Sequence, residues 1–337
     1  MEVNKRERRV IVRVIIGLFT LILFIQSIQI PVHAENQAED IYEERMALYK
    51  QVESVTNIPW YFLAAVDQYE RNVRQSRRDL PKAEGITGIY FKPEEWVGLL
   101  NPKLDDENPE TIQFFEGIGF DGDGDGKASV HSDEDVVHAF ANFLLKYGTD
   151  QDNLKIGLWD YYQRDKAVGI IVGKAQLYKH FGRLNLEEHA FPVPIGTHYS
   201  YRDTWGSARG WGGRRMHEGT DIFADYGLPV RATSYGIIEM KGWNKFGGWR
   251  IGIRDINNNY HYFAHLSGFS KDLKLGQIVE PGMVIGGVGS SGYGPPGTSG
   301  KFPPHLHYGM YKDNGYTEWS YDPYPHLKLW ERQERAK

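Results

Sequence analysis

No cysteine occurs in the 337 residues. Thiolate metal sites, disulfides and redox pairs are therefore excluded, and any metal must be held by His, Asp or Glu. Twelve histidines are available for that role. Excess positive charge is also missing, since 39 Lys and Arg stand against 44 Asp and Glu for a net charge of −5. Such a chain lacks the basic footprint that neutralises phosphates, which argues against nucleic acid as a partner. A phosphate loop is excluded too. In GSSGYGPPGTSGKFPP, Lys301 is followed by Phe302 and no glycine stands five residues before Gly300. That stretch reads as a long loop.

Long uncharged apolar sequence is scarce. Lys5, Arg6, Arg8 and Arg9 precede an apolar run that is interrupted by Arg13, continues without charge from Val14 to Ile25 and resumes at Ile28 and Ile30. Val32 and Ala34 follow where a secretory peptidase would cut. Val14 to Ile25 is short for a membrane span, whereas Val10 to Ile30 would suffice with Arg13 snorkelling. Residues 1–34 are thus expected to be a signal peptide or a membrane anchor, and either way the remainder faces outward. Membrane contact is expected only through that segment.

The length predicts two domains, and no long-period repeat is present. From 38 to 186 the apolar spacing is helical: Leu63, Val66 and Tyr69 in one segment, Val168, Ile171, Val172 and Ala175 in another. Ser132 reads as an N-cap for a helix bearing Val136, Phe140, Phe143 and Leu144, with Gly148 closing it. From 190 to 330 glycine alternates with β-branched and aromatic residues. GIIEMKGW, WRIGIRDI, YHYFAHL and MVIGGVG read as strands, with Asn257-Asn258-Asn259 turning between two of them. The predicted class is α+β, a helical domain followed by an antiparallel sheet.

Within the second half, MHEGTD (216–221) poses a choice. It could be a distorted helical H-E-x-x-H site with Glu218 as base, but Gly219 and β-branched Thr220 make a poor helix interior. The same spacing also places His217 and Asp221 on one face of an extended segment, because i and i+4 coincide in a period of two. A catalytic zinc takes three such ligands and leaves a fourth position open. The H-x-H of His305 and His307, on one face of a strand, supplies the third. Glu218 then points away. His265 ends another strand, and His261 would share its face if that strand were regular.

HEGTDIFADYGLPVRATSYGIIEM, YHYFAHLS, LKLGQIVEPGMVIGGVGSSG and HLHYGM together resemble the successive blocks of lysostaphin and LytM type zinc endopeptidases, which cut peptides of bacterial cell-wall peptidoglycan. The resemblance spans roughly 193–323. It implies a small antiparallel β-sheet with a groove, His217, Asp221 and His307 as zinc ligands, and His265 and His305 as catalytic histidines. No residue matches the tyrosine that supports the oxyanion in some relatives, Trp211 standing nearby instead. The long loop before His305 is expected to wall the groove.

The helical half carries its own resemblance. IPWYFLAAVDQYERN, GITGIYFKPEEW and DGDGDGKASVHSDEDVVHAFANFL are similar to segments of lytic transglycosylases, which cleave peptidoglycan glycan strands. The resemblance implies a lysozyme-like domain with Glu70 as general acid. Arg71 replaces the usual small Ser, and the second segment lacks the expected Gln. Asp121, Asp123 and Asp125 occupy the first, third and fifth places of an EF-hand-like calcium loop, with Ser132 where a Glu would stand and Asp133 or Asp135 as substitutes. An acidic turn that caps the next helix is the plainer reading.

The domain order resembles endopeptidases that cut the L-Ala-D-Glu stem-peptide bond in spore cortex. Two other readings stand beside it. One is a catalytically silent wall-binding scaffold, and the other a lytic transglycosylase with an accessory zinc domain. The partners implied are stem peptides and glycan strands, and oligomeric state leaves no mark on the sequence.

Overall fold

The computed structural model describes residues 41–210 and 215–337. The N-terminal segment expected to be a signal or anchor, and Trp211, lie outside the described residues. Among those described, no helix is long and apolar enough to cross a membrane.

Helix α1 covers 41–56, α2 Trp60–Ser76, α3 Pro93–Val97, α4 Pro109–Phe114, α5 Asp133–Leu145, α6 Gln151–Tyr162 and α7 Asp165–Phe181. The stripes of α2 and α7 explain their pairing. Leu63, Val66, Tyr69 and Val73 on one, and Ala167, Ile170, Ile171, Ala175 and Tyr178 on the other, are buried in a single cluster. Val168 and Val172 only flank it, so the α7 stripe is rotated slightly from the spacing read in the sequence. Gly182 ends α7 in the left-handed region (φ 66°), and its N–H donates to Tyr178 O at 2.9 Å. Ser132 caps α5 by accepting from Asp135 N at 3.2 Å, and the helix stops at Leu145, ahead of Gly148.

The second half is antiparallel sheet. Strands β1 to β13 are Tyr199–Tyr201, Ala208–Arg209, Arg215–Met216, Thr220–Ala224, Pro229–Arg231, Gly236–Asn244, Gly248–Asp255, Asn259–Leu266, Gly268–Phe269, Ile278–Val279, Val284–Gly287, His305–Asp313 and Glu318–Tyr321. The main sheet runs β1-β4-β12-β8-β7-β6-β10, with β13 paired to β12. Alternation sorts β12 cleanly. Leu306, Tyr308 and Met310 enter the core while His305, His307 and Tyr311 face the other side. A C-terminal helix, α8 (Tyr324–Ala336), lays Leu327 and Trp330 on that core.

Core membership changes between Leu186, packed with the helices, and Phe191, packed with the sheet. The two halves nevertheless lock together. Tyr235, Ile237 and Ile256 join the helical cluster, and Arg164 donates twice to Asp313 at 3.0 and 2.6 Å. Asn72 donates to Ile256 O at 2.9 Å. One consequence is that the turn between β12 and β13, bearing Gly315 and Tyr316, reaches a cleft on the helical half.

Candidate metal centre

MHEGTD is not a helix. Met216 ends β3, Thr220 opens β4, and His217 stands between them. Across the ladder Asp221 lies directly opposite His307, and His307 in turn faces Ala264 of β8. This register brings three ligand atoms to one point. His217 Nε2 is 2.9 Å from His307 Nδ1 and 3.1 Å from Asp221 Oδ1, and His307 Nδ1 is 3.0 Å from that same oxygen. Glu218 is turned away and accepts from Tyr311 Oη at 3.1 Å.

The far side of each ring is anchored. His217 Nδ1–H donates to Thr204 O at 2.8 Å, which leaves the Nε2 lone pair aimed inward. His305 Nδ1–H donates to Pro303 O at 2.9 Å, and its Nε2 is buried without a hydrogen-bond partner, 3.8 Å from Asp221 Oδ1. Buried polar atoms are rarely left so. Two imidazole nitrogens and a carboxylate converging within 4.8 Å, with an orphaned nitrogen beside them, fit a cation of the kind that nitrogen and oxygen ligands prefer. Burial opposes ionisation of Asp221, but the close approach of the His217 and His307 rings outweighs it and holds the carboxyl well below its usual range.

His265 arrives by a different route. Regular alternation along β8 would put it with His261 and Phe263 on the core face. The structure instead carries one extra residue there, between the pairs Ile251↔Phe263 and Trp249↔Leu266. His265 takes φ 61°, a conformation that costs a non-glycine residue. Its ring comes to lie 4.9 Å from that of His305, with Nδ1–H donated to Ser291 O at 2.8 Å. His261 stays in the core, 3.0 Å from Asp255 and 2.7 Å from Tyr308 Oη. The expectation of a shared face is thus corrected. Burial, then His305 and His307, push the His265 imidazole down to about 3, and burial lowers His305 as well. Both are neutral bases near pH 7.

A groove of about 430 Å³ runs over this cluster, lined among others by Arg209, Arg215, Tyr262, His265, Tyr293 and His307. Tyr293 comes from the long loop, which does wall the groove. Arg209 was not legible in the sequence. It donates to His217 Nε2 at 2.8 Å and to Asp221 Oδ2, through a two-stranded ribbon whose pattern is too short to read.

The backbone also constrains the site. A Cβ on Gly219 would lie 2.6 Å from His307 Cε1 and 2.6 Å from Tyr308 O. Gly219→Ala is therefore expected to displace the His307 ring and weaken metal retention by roughly tenfold or more, as overpacking does elsewhere. Competition against a chelator measures this, and an unchanged affinity would show that the ring can yield.

Glu70 lies apart from this centre. It is buried on α2, accepts from Tyr162 Oη at 2.7 Å, and lines a cleft of about 730 Å³ with Tyr90, Tyr161 and Tyr316. Burial raises its carboxyl to about 7, and the Tyr162 bond and Arg74 only partly offset this. Arg71 points elsewhere, to Asp67 at 3.0 Å and to Ile86 O. The acidic loop departs from the expected set. Asp121, Asp123 and Asp135 cluster, while Asp125 does not join them. Asp121 accepts from Gly124 N and Gly126 N, and Asp135 from Gly122 N and Ser129 N, so the loop is closed by its own hydrogen bonds. Nothing in the arrangement favours calcium over that closure.

Comparison with known proteins bears on the same residues. The profile of peptidase family M23 matches residues 215–320. The L-Ala–D-Glu endopeptidase of Bacillus subtilis (strain 168) is 63% identical over 320 residues, 95% of this chain and 98% of that protein. The glycyl-glycine endopeptidase ALE-1 of Staphylococcus capitis is 37% identical over 115 residues, 33% of this chain and 29% of its own length. Among solved structures, the catalytic domain of lysostaphin from Staphylococcus simulans is 33% identical. It covers 39% of this chain and 92% of its own, with a TM-score of 0.32.

Proposed function

The chain belongs to peptidase family M23 and is a metalloendopeptidase, and on that premise we propose that it is an exported zinc enzyme cutting the L-Ala-D-Glu bond of peptidoglycan stem peptides. The observation that carries this reading is the convergence of His217 Nε2, Asp221 Oδ1 and His307 Nδ1 beside the unpartnered His305 Nε2. The bond is taken from the Bacillus subtilis relative, which aligns over nearly the whole chain. Spore cortex is the setting we propose from the domain order. Export rests on residues 1–34 as signal peptide or anchor.

His217, Asp221 and His307 would hold the zinc. When bound, zinc supplies Lewis acidity and acidifies water at neutral pH. The chain's own residues do the rest. His305 and His265 each keep Nδ1–H tied to a backbone carbonyl, so each turns an unprotonated Nε2 toward the metal centre, where one takes a proton from the attacking water and, as the imidazolium so formed, returns that same proton to the leaving nitrogen as the peptide bond breaks. In this reading 38–186 form a helical domain and 190–330 the peptidase domain, a division supported by the change of core membership between Leu186 and Phe191.

A second activity is favoured by one observation, the buried Glu70 raised to about 7 in an aromatic cleft. It supports a lysozyme-like helical domain that binds glycan and uses Glu70 as an acid. Mass spectrometry of purified muropeptides and glycan strands digested by the zinc-loaded chain tests both readings. Release of peptides beginning with D-glutamate, lost on chelation, is expected. Hydrolysis that survives chelation overturns the zinc reading. Anhydro-sugar products that vanish in Glu70→Gln support the second activity, and their absence from the wild-type digest removes it.

A further inference from the structure

The groove over the metal centre carries more positive charge than the chemistry described above uses. Arg209 and Arg215 are direct partners across the β2–β3 ribbon, an arrangement of like charges that costs stability. Arg215 is accounted for locally. It donates to Tyr293 Oη at 2.7 Å, and its guanidinium lies 5.5 and 5.8 Å from the rings of Phe246 and Tyr293. Arg209 is held differently, by donating to Asp221 Oδ2 and His217 Nε2. Those are groups that would hold the zinc. Arg209 loses its bond to His217 Nε2 once that lone pair is given to a metal, keeping at most the one to Asp221 Oδ2, and a dication there repels the guanidinium. The side chain, 28% exposed and lining the groove, then has N–H groups free to face it while its backbone stays fixed in the ribbon.

A guanidinium freed beside the reacting bond calls for an anion, preferably a planar one it can grip with two N–H groups. The proposed substrate supplies one. A glutamate acylated on nitrogen and extended through either of its carboxyls keeps the other free, close to the scissile nitrogen. A glycyl-glycine bond, as cut by the Staphylococcus capitis relative according to its name, offers no such group.

We propose that Arg209 determines specificity by binding the free carboxylate of the glutamate on the leaving-group side of the scissile bond. This rests on the L-Ala-D-Glu reading and deepens it. The test uses the full zinc-loaded chain and two synthetic stem peptides that differ only in whether that carboxyl is free or a primary amide. The wild type is expected to favour the free acid in kcat/KM by roughly ten- to a hundredfold, the range of one charge-assisted hydrogen bond. Arg209→Met should bring the ratio near one, mainly through KM, at undiminished zinc content, and Arg209→Lys should restore part of it. Equal cleavage of both peptides by the wild type overturns the proposal and leaves the bond preference standing, a comparison that needs no variant to fold. A ratio unchanged in Arg209→Met, or zinc loss with an equal fall on both substrates, also overturns it. Cleavage of neither peptide at the Ala-Glu bond removes the parent reading and this one together.

Discussion

Replacing His307 with alanine is expected to abolish stable zinc binding and to lower wall-peptide hydrolysis by at least about a thousandfold, since even outer-shell partners of a metal ligand cost ten- to a hundredfold. The geometry says why the loss should be so complete. A catalytic zinc has three protein ligands to begin with, and His307 faces Asp221 across the ladder while closing the triangle to His217. Without it two ligands remain, and Arg209 is already bonded to both. The site then settles as an ion pair. The fold should survive, because the imidazole sits on the groove face while Leu306 and Tyr308 carry the core contacts of β12. The metal-free variant should match the metal-free wild type within about 1 kcal/mol in denaturant titrations, and the metal-loaded wild type should exceed both through linkage to its ligand. Zinc per mole by elemental analysis and release of new amino termini from muropeptides are the measurements. A full equivalent of zinc in His307→Ala, or hydrolysis within tenfold of wild type, would refute the role given to this residue.

Most of this centre was legible in the sequence because it depends on short-range periodicity. The four-residue interval from His217 to Asp221 and the two-residue interval from His305 to His307 each place side chains on one face of an extended segment, and Gly219 and Thr220 weigh against the helical alternative. The helical stripe of α2 and the alternation of β12 follow from the same arithmetic, and that of α7 does so up to a small rotation that leaves Val168 and Val172 at the edge of the core. Where a single inserted residue resets the period, the arithmetic fails. His265 reaches the groove only because of the bulge in β8, and nothing in YHYFAHLS marks that bulge. Likewise Asp125 drops out of the acidic cluster although Asp135, one of the two substitutes read for the twelfth place, joins it, because the loop folds back on the start of α5 in a turn that spacing does not encode. Contacts between distant segments were invisible for a plainer reason. Arg164 and Asp313 are separated by 149 positions, and only the docking of the two halves pairs them. Arg209 belongs to this class too, since its importance comes from what it touches across a two-residue strand.

The helical half makes a prediction of opposite sign, in which removing a functional group stabilises the protein. Glu70 is buried, and its carboxyl is raised from the ordinary 4.5 to about 7 by burial, which the Tyr162 hydrogen bond only partly counters. Below pH 4.5 the side chain is protonated in both folded and unfolded chains and has no effect on the pH dependence. Between 4.5 and 7 the unfolded chain releases this proton while the folded one retains it, so stability falls as pH rises, and above 7 the folded protein carries the full penalty of a buried charge. Linkage puts that penalty at about 3 kcal/mol. Glu70→Gln keeps an oxygen to accept from Tyr162 and has nothing to ionise. It should therefore match the wild type near pH 4 and exceed it by up to about 3 kcal/mol near pH 8, read from denaturant titrations of both proteins side by side. A structural glutamate would give the reverse, a loss on substitution at every pH. A carboxyl held near neutrality at the expense of the fold, open to a cleft of tyrosines, is the state expected of a group kept to give up a proton. If the stability difference between the two proteins does not change from pH 4 to pH 8, Glu70 ionises normally and the acid role proposed for it fails with that result.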